Sequence, residues 1–254
     1  MGWRSFVAIG DSFTEGMDDL YPDGTVYRGW ADLVAQRLAE DEPGFTYANL
    51  AVRGRLFDRI VDEQVPMALR VGPDLVSFAA GGNDALRRGF DGPALTKRLD
   101  DVVRTLRATG ADVIVFRFAD VTRRLPGRRL VLPRAQALND AIGVSARRHG
   151  AKLVDLWADE EFYSPLLWSV DRLHLNELGH RRVAAHVLTA LDVKPDPDWW
   201  VEPLAGPVQS WAARRAADAR WARQHFAPWV RRRLTGRSSG DHVVAKRPTL
   251  TPLD

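Results

Sequence analysis

Apolar positions along the chain fall into two rhythms. Five short runs, at residues 5–9, 45–50, 75–79, 112–118 and 152–156, are mostly apolar with little alternation, the pattern of strands covered on both faces. Between them apolar residues recur three and four positions apart. Trp30, Leu33, Val34 and Leu38 make one such stripe. Leu95, Leu99, Val102, Val103 and Leu106 make the clearest, with Gly110 placed to cap its C-terminus. Further helices are predicted over about 56–71, 133–149 and 177–191. Strands alternating with helices of this length predict an α/β fold with a five-stranded, doubly wound parallel sheet. Ligands of such sheets bind beyond the carboxyl ends of the strands, which is where polar residues carry most information.

The texture changes after Leu191. Lys194-Pro195-Asp196-Pro197-Asp198 reads as a linker, dividing the chain into a body over 1–193 and a Trp/Arg-rich extension over 194–254. Within the extension, Val208, Trp211, Ala212, Arg215, Ala219, Ala222 and Phe226 share one helical face, and Pro228 should kink or end that helix before 229–234. The closing stretch "GRSSGDHVVAKRPTLTPLD" has no period, and is expected to be an irregular tail, extended or disordered, unless it packs on something.

Charge sharpens this division. Residues 1–210 hold 26 Lys and Arg against 30 Asp and Glu, whereas residues 211–254 hold 10 against 3. A mildly acidic body thus carries a basic tail. Its arginines at 214, 215, 220, 223 and 231–233 are spread around the helix rather than gathered on one face, which disfavours nucleic acid and, less strongly, a membrane surface as partner. Five tryptophans, at 199, 200, 211, 221 and 229, favour docking on the body or on a second subunit. The chain has no cysteine, which removes disulfides, thiolate metal sites and cysteine nucleophiles together. With no signal-like segment at the start and no membrane-length apolar run, a cytoplasmic location is expected.

Polar residues gather where the sheet rule directs attention. The first strand runs into Gly10-Asp11-Ser12, the second into Asn49 through Gly54, and the third into Ala80-Gly81-Gly82-Asn83-Asp84. A fourth cluster, Asp171 to Asn176, precedes the last body helix. A serine hydroxyl needs an imidazole to take its proton as it attacks a carbonyl, and the imidazole needs an acid on its other nitrogen. Asp171 and His174 are spaced for that acid and base on one turn. The attack also makes an oxyanion, for which the N–H groups of Ser12 and Gly54 and the Asn83 amide are candidate donors.

These blocks, Gly10-Asp11-Ser12, Gly54, Gly81-Gly82-Asn83-Asp84 and Asp171-x-x-His174, resemble those of the SGNH/GDSL hydrolases, in the family's order and over roughly residues 5–190. Phe13 stands where the family's name-giving motif has leucine. The resemblance implies a three-layer α/β/α, flavodoxin-like fold. It also implies Ser12 as nucleophile, His174 as base, Asp171 as orienting acid, an oxyanion hole of Ser12, Gly54 and Asn83, and neither metal nor organic cofactor. The implied reaction is hydrolysis of carboxylic esters, expected to be of short acyl or acetyl groups, on a small-molecule, lipid or sugar ester. Two alternatives stand beside it: a thioesterase or lysophospholipase-type acyl hydrolase, and a catalytically idle SGNH-like module that binds through its basic tail.

Taken singly, each residue has a plainer explanation. Ser12 could be a helix N-cap, Gly54 a turn glycine, and Asn83 and Asp84 capping residues. Asp11 is expected to be structural, His180 and His186 solvated, and Asp159-Glu160-Glu161 a solvated loop. The acids after the nucleophile, Asp18, Asp19 and Asp23, could hold a metal but are explained by turn chemistry. That loop is expected at the rim of the site, with Tyr21, Tyr27 and Trp30 as pocket walls.

Overall fold

The computed structural model describes residues 2–200, 210–235 and 237–253. Five strands pair in parallel: β1 (Ser5–Gly10), β2 (Thr46–Asn49), β3 (Leu75–Ala79), β4 (Asp112–Arg117) and β5 (Lys152–Asp155). A sixth, β6 (Arg247–Pro252), runs antiparallel along β2 and completes the order β5-β4-β3-β1-β2-β6. Helices α1 (Ser12–Glu15), α2 (Gly29–Asp41), α3 (Phe57–Glu63), α4 (Val65–Val71), α5 (Gly82–Ala85), α6 (Gly92–Arg107), α7 (Arg128–His149) and α8 (Glu177–Ala190) fill the connections.

Side chains alternate across each strand and so feed two cores. Phe6 and Ala8 of β1 face one side, where Trp30, Val34 and Leu38 of α2 meet Val183, Val187 and Leu188 of α8. Val7 and Ile9 face the other, against Phe57, Ile60, Leu99, Val103 and Ile142. Each such large side chain, taken fully out of water, contributes about 1.5–3 kcal/mol before entropy is counted. The result is the three-layer α/β/α arrangement, with six strands where five were expected. Among the described residues, no helix is long and apolar enough to cross a membrane.

Two local differences from the expected elements bear on the site. The helix predicted over 56–71 is two helices that meet at Gln64, because Pro66 in the first turn of α4 cannot continue the hydrogen-bond ladder. The buried Gln64 amide instead reaches the last residue of β1, its Oε1 accepting from Gly10 N–H and its Nε2 donating to Gly10 C=O, both at 2.9 Å. Gly10 itself admits no side chain: a Cβ there would stand 2.4 Å from Thr14 Oγ1 and 2.8 Å from the Ala79 carbonyl oxygen. The helix predicted from 133 begins at Arg128 and carries Pro133 inside it.

The extension departs further from expectation. Its helical part comprises α9 (Trp211–Trp221), a wide π turn at Ala222–Phe226 and α10 (Ala227–Leu234). The predicted apolar face does not dock as a unit: Trp211 is 68% exposed, and Ala212, Arg215 and Ala219 are exposed with it. Val208 lies outside the described residues. The exposed residues all lie in α9, ahead of the π turn. What packs is the later set, Trp221, Phe226 and Trp229, with ring centroids 5.5 and 5.8 Å apart.

The last stretch is ordered as β6, not irregular, and just before it Lys246 enters the body. Its ammonium donates to the carbonyls of Tyr27 and Arg28 at 2.8 and 2.6 Å and lies 2.8 Å from Asp32 Oδ1. The Asp32 carboxylate also accepts from the Tyr21 and Tyr47 hydroxyls. Burial lowers the Lys246 pKa, opposed by the Asp32 charge. A strand and a buried ion pair thus tie the end of the extension to the body.

Candidate active site

Sheet order explains why distant residues meet. β3, β1 and β2 lie side by side, so the loops that leave their carboxyl ends share one edge, beside the point where the winding reverses. Ser12 opens α1 directly after β1. Asp11, not Ser12, caps that helix: its Oδ1 accepts from Phe13 N–H at 3.1 Å. The serine hydroxyl is thereby left for another partner.

That partner is His174, whose Nε2 lies 2.9 Å from Ser12 Oγ. On the other side of the ring, Nδ1 lies 2.6 Å from Asp171 Oδ2. Asp171 Oδ1 accepts from the backbone N–H groups of Leu173 and His174 at 2.9 and 3.0 Å and from Ser169 Oγ at 2.9 Å. Burial alone would raise the Asp171 pKa, but hydrogen bonds from His174 and these N–H groups, with the imidazole's charge, hold it well below the usual carboxylate range. Burial likewise pulls His174 down, and the Asp171 hydrogen bond and charge more than offset it, so its pKa is raised.

Neighbouring loops are fixed by buried polar contacts. Glu15, at the end of α1 and 3% exposed, accepts from Arg53 N–H at 2.7 Å and pairs with the Arg53 guanidinium. This holds the backbone of the next residue, Gly54, whose φ of +73° lies in the left-handed region and whose Cβ position is filled by Ser238 Oγ at 2.3 Å. Only glycine fits there. The N–H groups of Ser12 and Gly54 donate to no group among the described residues. Asn83 differs from them: its Nδ2 donates to Asp11 Oδ2 at 2.9 Å and to the Arg55 carbonyl at 3.1 Å. Burial raises the Asp11 pKa to about 6, against the Phe13 N–H and the His174 charge. Asp84 accepts from Phe57 N–H at 2.9 Å and so joins the third loop to α3.

Two cavities open beside Ser12. A small one of about 120 Å³ runs inward between Phe13, Phe118, Leu156, Trp168 and Leu175. A larger one of about 620 Å³ runs outward past Gly54, Asn83 and His174 to Trp221, Phe226 and Trp229 of the extension. The expected walls are elsewhere. Trp30 is fully buried, tilted against Phe13 and Phe116 in the core. The Tyr21 hydroxyl is held by Asp32 and Tyr27 lies under the Arg53 guanidinium, and neither tyrosine lines a cavity at Ser12. The cause is Asp19, which binds Arg28 and the Gly29 N–H and folds that loop onto the body.

His180 is buried rather than solvated, accepting from Trp30 N–H and donating to the Met17 carbonyl, and burial drives its pKa down to about 4. Asp159 is paired with Arg182 and His186, so it too is more than a solvated loop. Asp18 can place a carboxylate oxygen within 4.8 Å of ligand atoms of Asp171 and His174, but those two residues are already committed to each other and to Ser12. Gln64, Glu15 and the extension are what sequence reasoning missed. A buried glutamine at a helix break and a serine 184 residues from Gly54 leave no periodic signal.

The class of protein is that of an ester hydrolase. A profile of the GDSL-like Lipase/Acylhydrolase family matches residues 8–182, and the chain belongs to that family. No curated protein matches it. Among solved structures it is similar to LAE5, an α/β hydrolase enzyme from the metagenome of Lake Arreo, Spain, at 23% identity and a TM-score of 0.63, covering 76% of this chain and 97% of that one. It is similar to TesA at 23% identity and a TM-score of 0.60, covering 74% and 97%. A third similar structure is a catalytic mutant of Axe2, an acetylxylan esterase from Geobacillus stearothermophilus, at 17% identity and a TM-score of 0.64, covering 80% and 99%. At these identities the likeness is one of fold.

Proposed function

We propose that the protein is a serine esterase for short acyl esters, with Ser12 as nucleophile, His174 as general base and acid, and Asp171 as the acid that orients it. The observation that carries this reading is the unbroken chain Asp171 Oδ2, His174 Nδ1, His174 Nε2, Ser12 Oγ, with gaps of 2.6 and 2.9 Å. Ser12 Oγ attacks the ester carbonyl as its proton passes to His174 Nε2. The tetrahedral intermediate collapses, His174 returns that proton to the departing alkoxide, and an acyl-Ser12 remains. Water, deprotonated by the same imidazole, then adds to the acyl carbon and releases the acid.

The free N–H groups of Ser12 and Gly54 supply two oxyanion donors. Asn83 supplies a third only by giving up its bond to the Arg55 carbonyl, a local exchange that keeps its bond to Asp11. Each such donor is worth about 2.7–4 kcal/mol in the transition state of a serine hydrolase. The narrowness of the inner cavity, about 120 Å³ and walled by Phe13, Phe118, Leu156, Trp168 and Leu175, favours a short acyl group. The name acetylxylan esterase given to Axe2 agrees with a small acyl group.

The test is Ser12→Ala assayed with p-nitrophenyl acetate, together with fluorophosphonate labelling of the wild-type chain. Loss of turnover and of the label in the variant is the expected result. Undiminished hydrolysis by Ser12→Ala overturns the assignment.

A further inference from the structure

The outer cavity has a composition that ester hydrolysis alone does not require. Arg87, Arg88, Arg232 and Arg237 line it, and none has an ion-pair partner among the described residues. Arg128 lines it too, but sits on Asp120. Arg87 is half-buried at this cavity, and Arg88, Arg232 and Arg237 are exposed. Among the described residues two acids line the same space, Asp18 and Asp171, and Asp171 is committed to His174.

The extension puts half of these charges in place. Trp221 Nε1 donates to the Asp171 carbonyl at 2.8 Å, Asp218 pairs with Arg172 at 2.7 Å, and Ser238 Oγ donates to the Gly54 carbonyl at 3.1 Å. It therefore rests on the turn that bears the proposed acid and base at one end and on the glycine loop at the other. Between these footings it presents the stacked rings of Trp221, Phe226 and Trp229, followed by Arg232 and Arg237. With the short acyl group in the inner cavity, the alcohol half of the ester lies against this wall.

We propose that the protein selects esters whose alcohol half carries an anionic group, phosphate or carboxylate, on an apolar or aromatic body. This rests on the esterase reading above. The rings take the body, and guanidinium forks take the anion, for which they are geometrically suited.

Three aryl acetates with similar leaving groups separate the cases: 4-methoxyphenyl acetate, 4-acetoxyphenyl phosphate and 4-acetoxyphenylacetate. At low salt, kcat/KM for at least one anionic ester is expected to exceed that for the neutral ester tenfold or more. That ratio should fall severalfold at 0.5 M NaCl, because exposed charges are screened. It should fall likewise in Arg87→Ala and in the double variant Arg232→Ala/Arg237→Ala. An advantage for the phosphate alone identifies a phosphate site, and one for both anions a general anion site. A wild-type ratio of one or below, with the neutral ester still hydrolysed, overturns the proposal and leaves the esterase reading intact. Failure to hydrolyse all three esters, with no fluorophosphonate label on Ser12, overturns the esterase reading and this proposal with it. The salt dependence needs no variant, so a misfolded substitution does not shield the idea.

Discussion

The body and the extension meet at the same cavity but are held there by different physics. Ser12, Gly54 and Asn83 follow strands whose neighbours are fixed by the sheet, so the two packed cores stand behind each of them. The wall opposite is fixed by a few identifiable contacts: the Trp221 indole on Asp171, Asp218 on Arg172, Ser238 on Gly54, and Lys246 under Asp32. The proposed chemistry falls on the part that is over-determined, and the proposed selection on the part that a handful of substitutions can move. That division matches a general need, since reacting atoms tolerate less displacement than the far end of a substrate.

The strongest test of the division is at the chemical centre. Ser12→Ala or His174→Ala should reduce kcat by about 10⁴-fold or more with an unchanged thermal transition; a small loss in both would remove the body's claim to the chemistry. Next in size is Lys246→Met. It strands the buried Asp32 carboxylate, and removing one partner of a buried pair costs about 3–5 kcal/mol, read as a lower denaturant midpoint. An unchanged midpoint would mean the extension is not integral. Gln64→Ala removes both hydrogen bonds to Gly10 and should cost about 2 kcal/mol, with a fall in kcat because the strand end carrying Ser12 loosens. If stability falls and kcat does not, the clamp serves the fold alone.

Smaller effects sharpen the comparison. Trp221→Phe keeps a ring in the stack but loses the bond to the Asp171 carbonyl, so kcat should drop about threefold, an amount of order 0.7 kcal/mol and typical of one hydrogen bond. No change would leave the extension a wall and nothing more. The pH profile is the mildest probe. As the proposed base His174 would act when neutral, and its pKa is raised, so kcat/KM should climb through one ionisation lying above about 6.5, and Asp171→Asn should move it down. The same shift contributes stability that is complete below the unfolded value and is lost as pH rises through the folded one.

Much of this was legible in the sequence, and the reason is local. Strands near residues 5–9 and 75–79 announce themselves by apolar runs, and the Gly-Asp-Ser and Gly-Gly-Asn-Asp blocks follow them at once. The Asp171 to His174 spacing closes on itself within one turn, with no need of distant information. What failed had a different origin. Trp30 carries the same letter whether it lines a pocket or fills a core, and Asp19 and His180 decide which. The Trp211 face is a sound reading of period 3.6, but a period does not say whether a face is covered, and this one lies exposed along α9. The sixth strand spells Arg-Pro-Thr-Leu-Thr-Pro, poor strand composition that succeeds because β2 offers an open edge to pair with.

Lys246 has a consequence for how the molecule is made. It contacts Tyr27 across 219 positions of sequence, so a ribosome has made the whole of the α/β body before this amine emerges. Until then β2 is a bare edge, and the Asp32 carboxylate lies in the nascent domain without its cation. Newly synthesised chains should therefore pass through a stage with the serine at its strand end, the outer wall missing and an edge open to wrong pairing. Arrival of the lysine ends that stage, and completion of the sheet and completion of the binding site become one event in time.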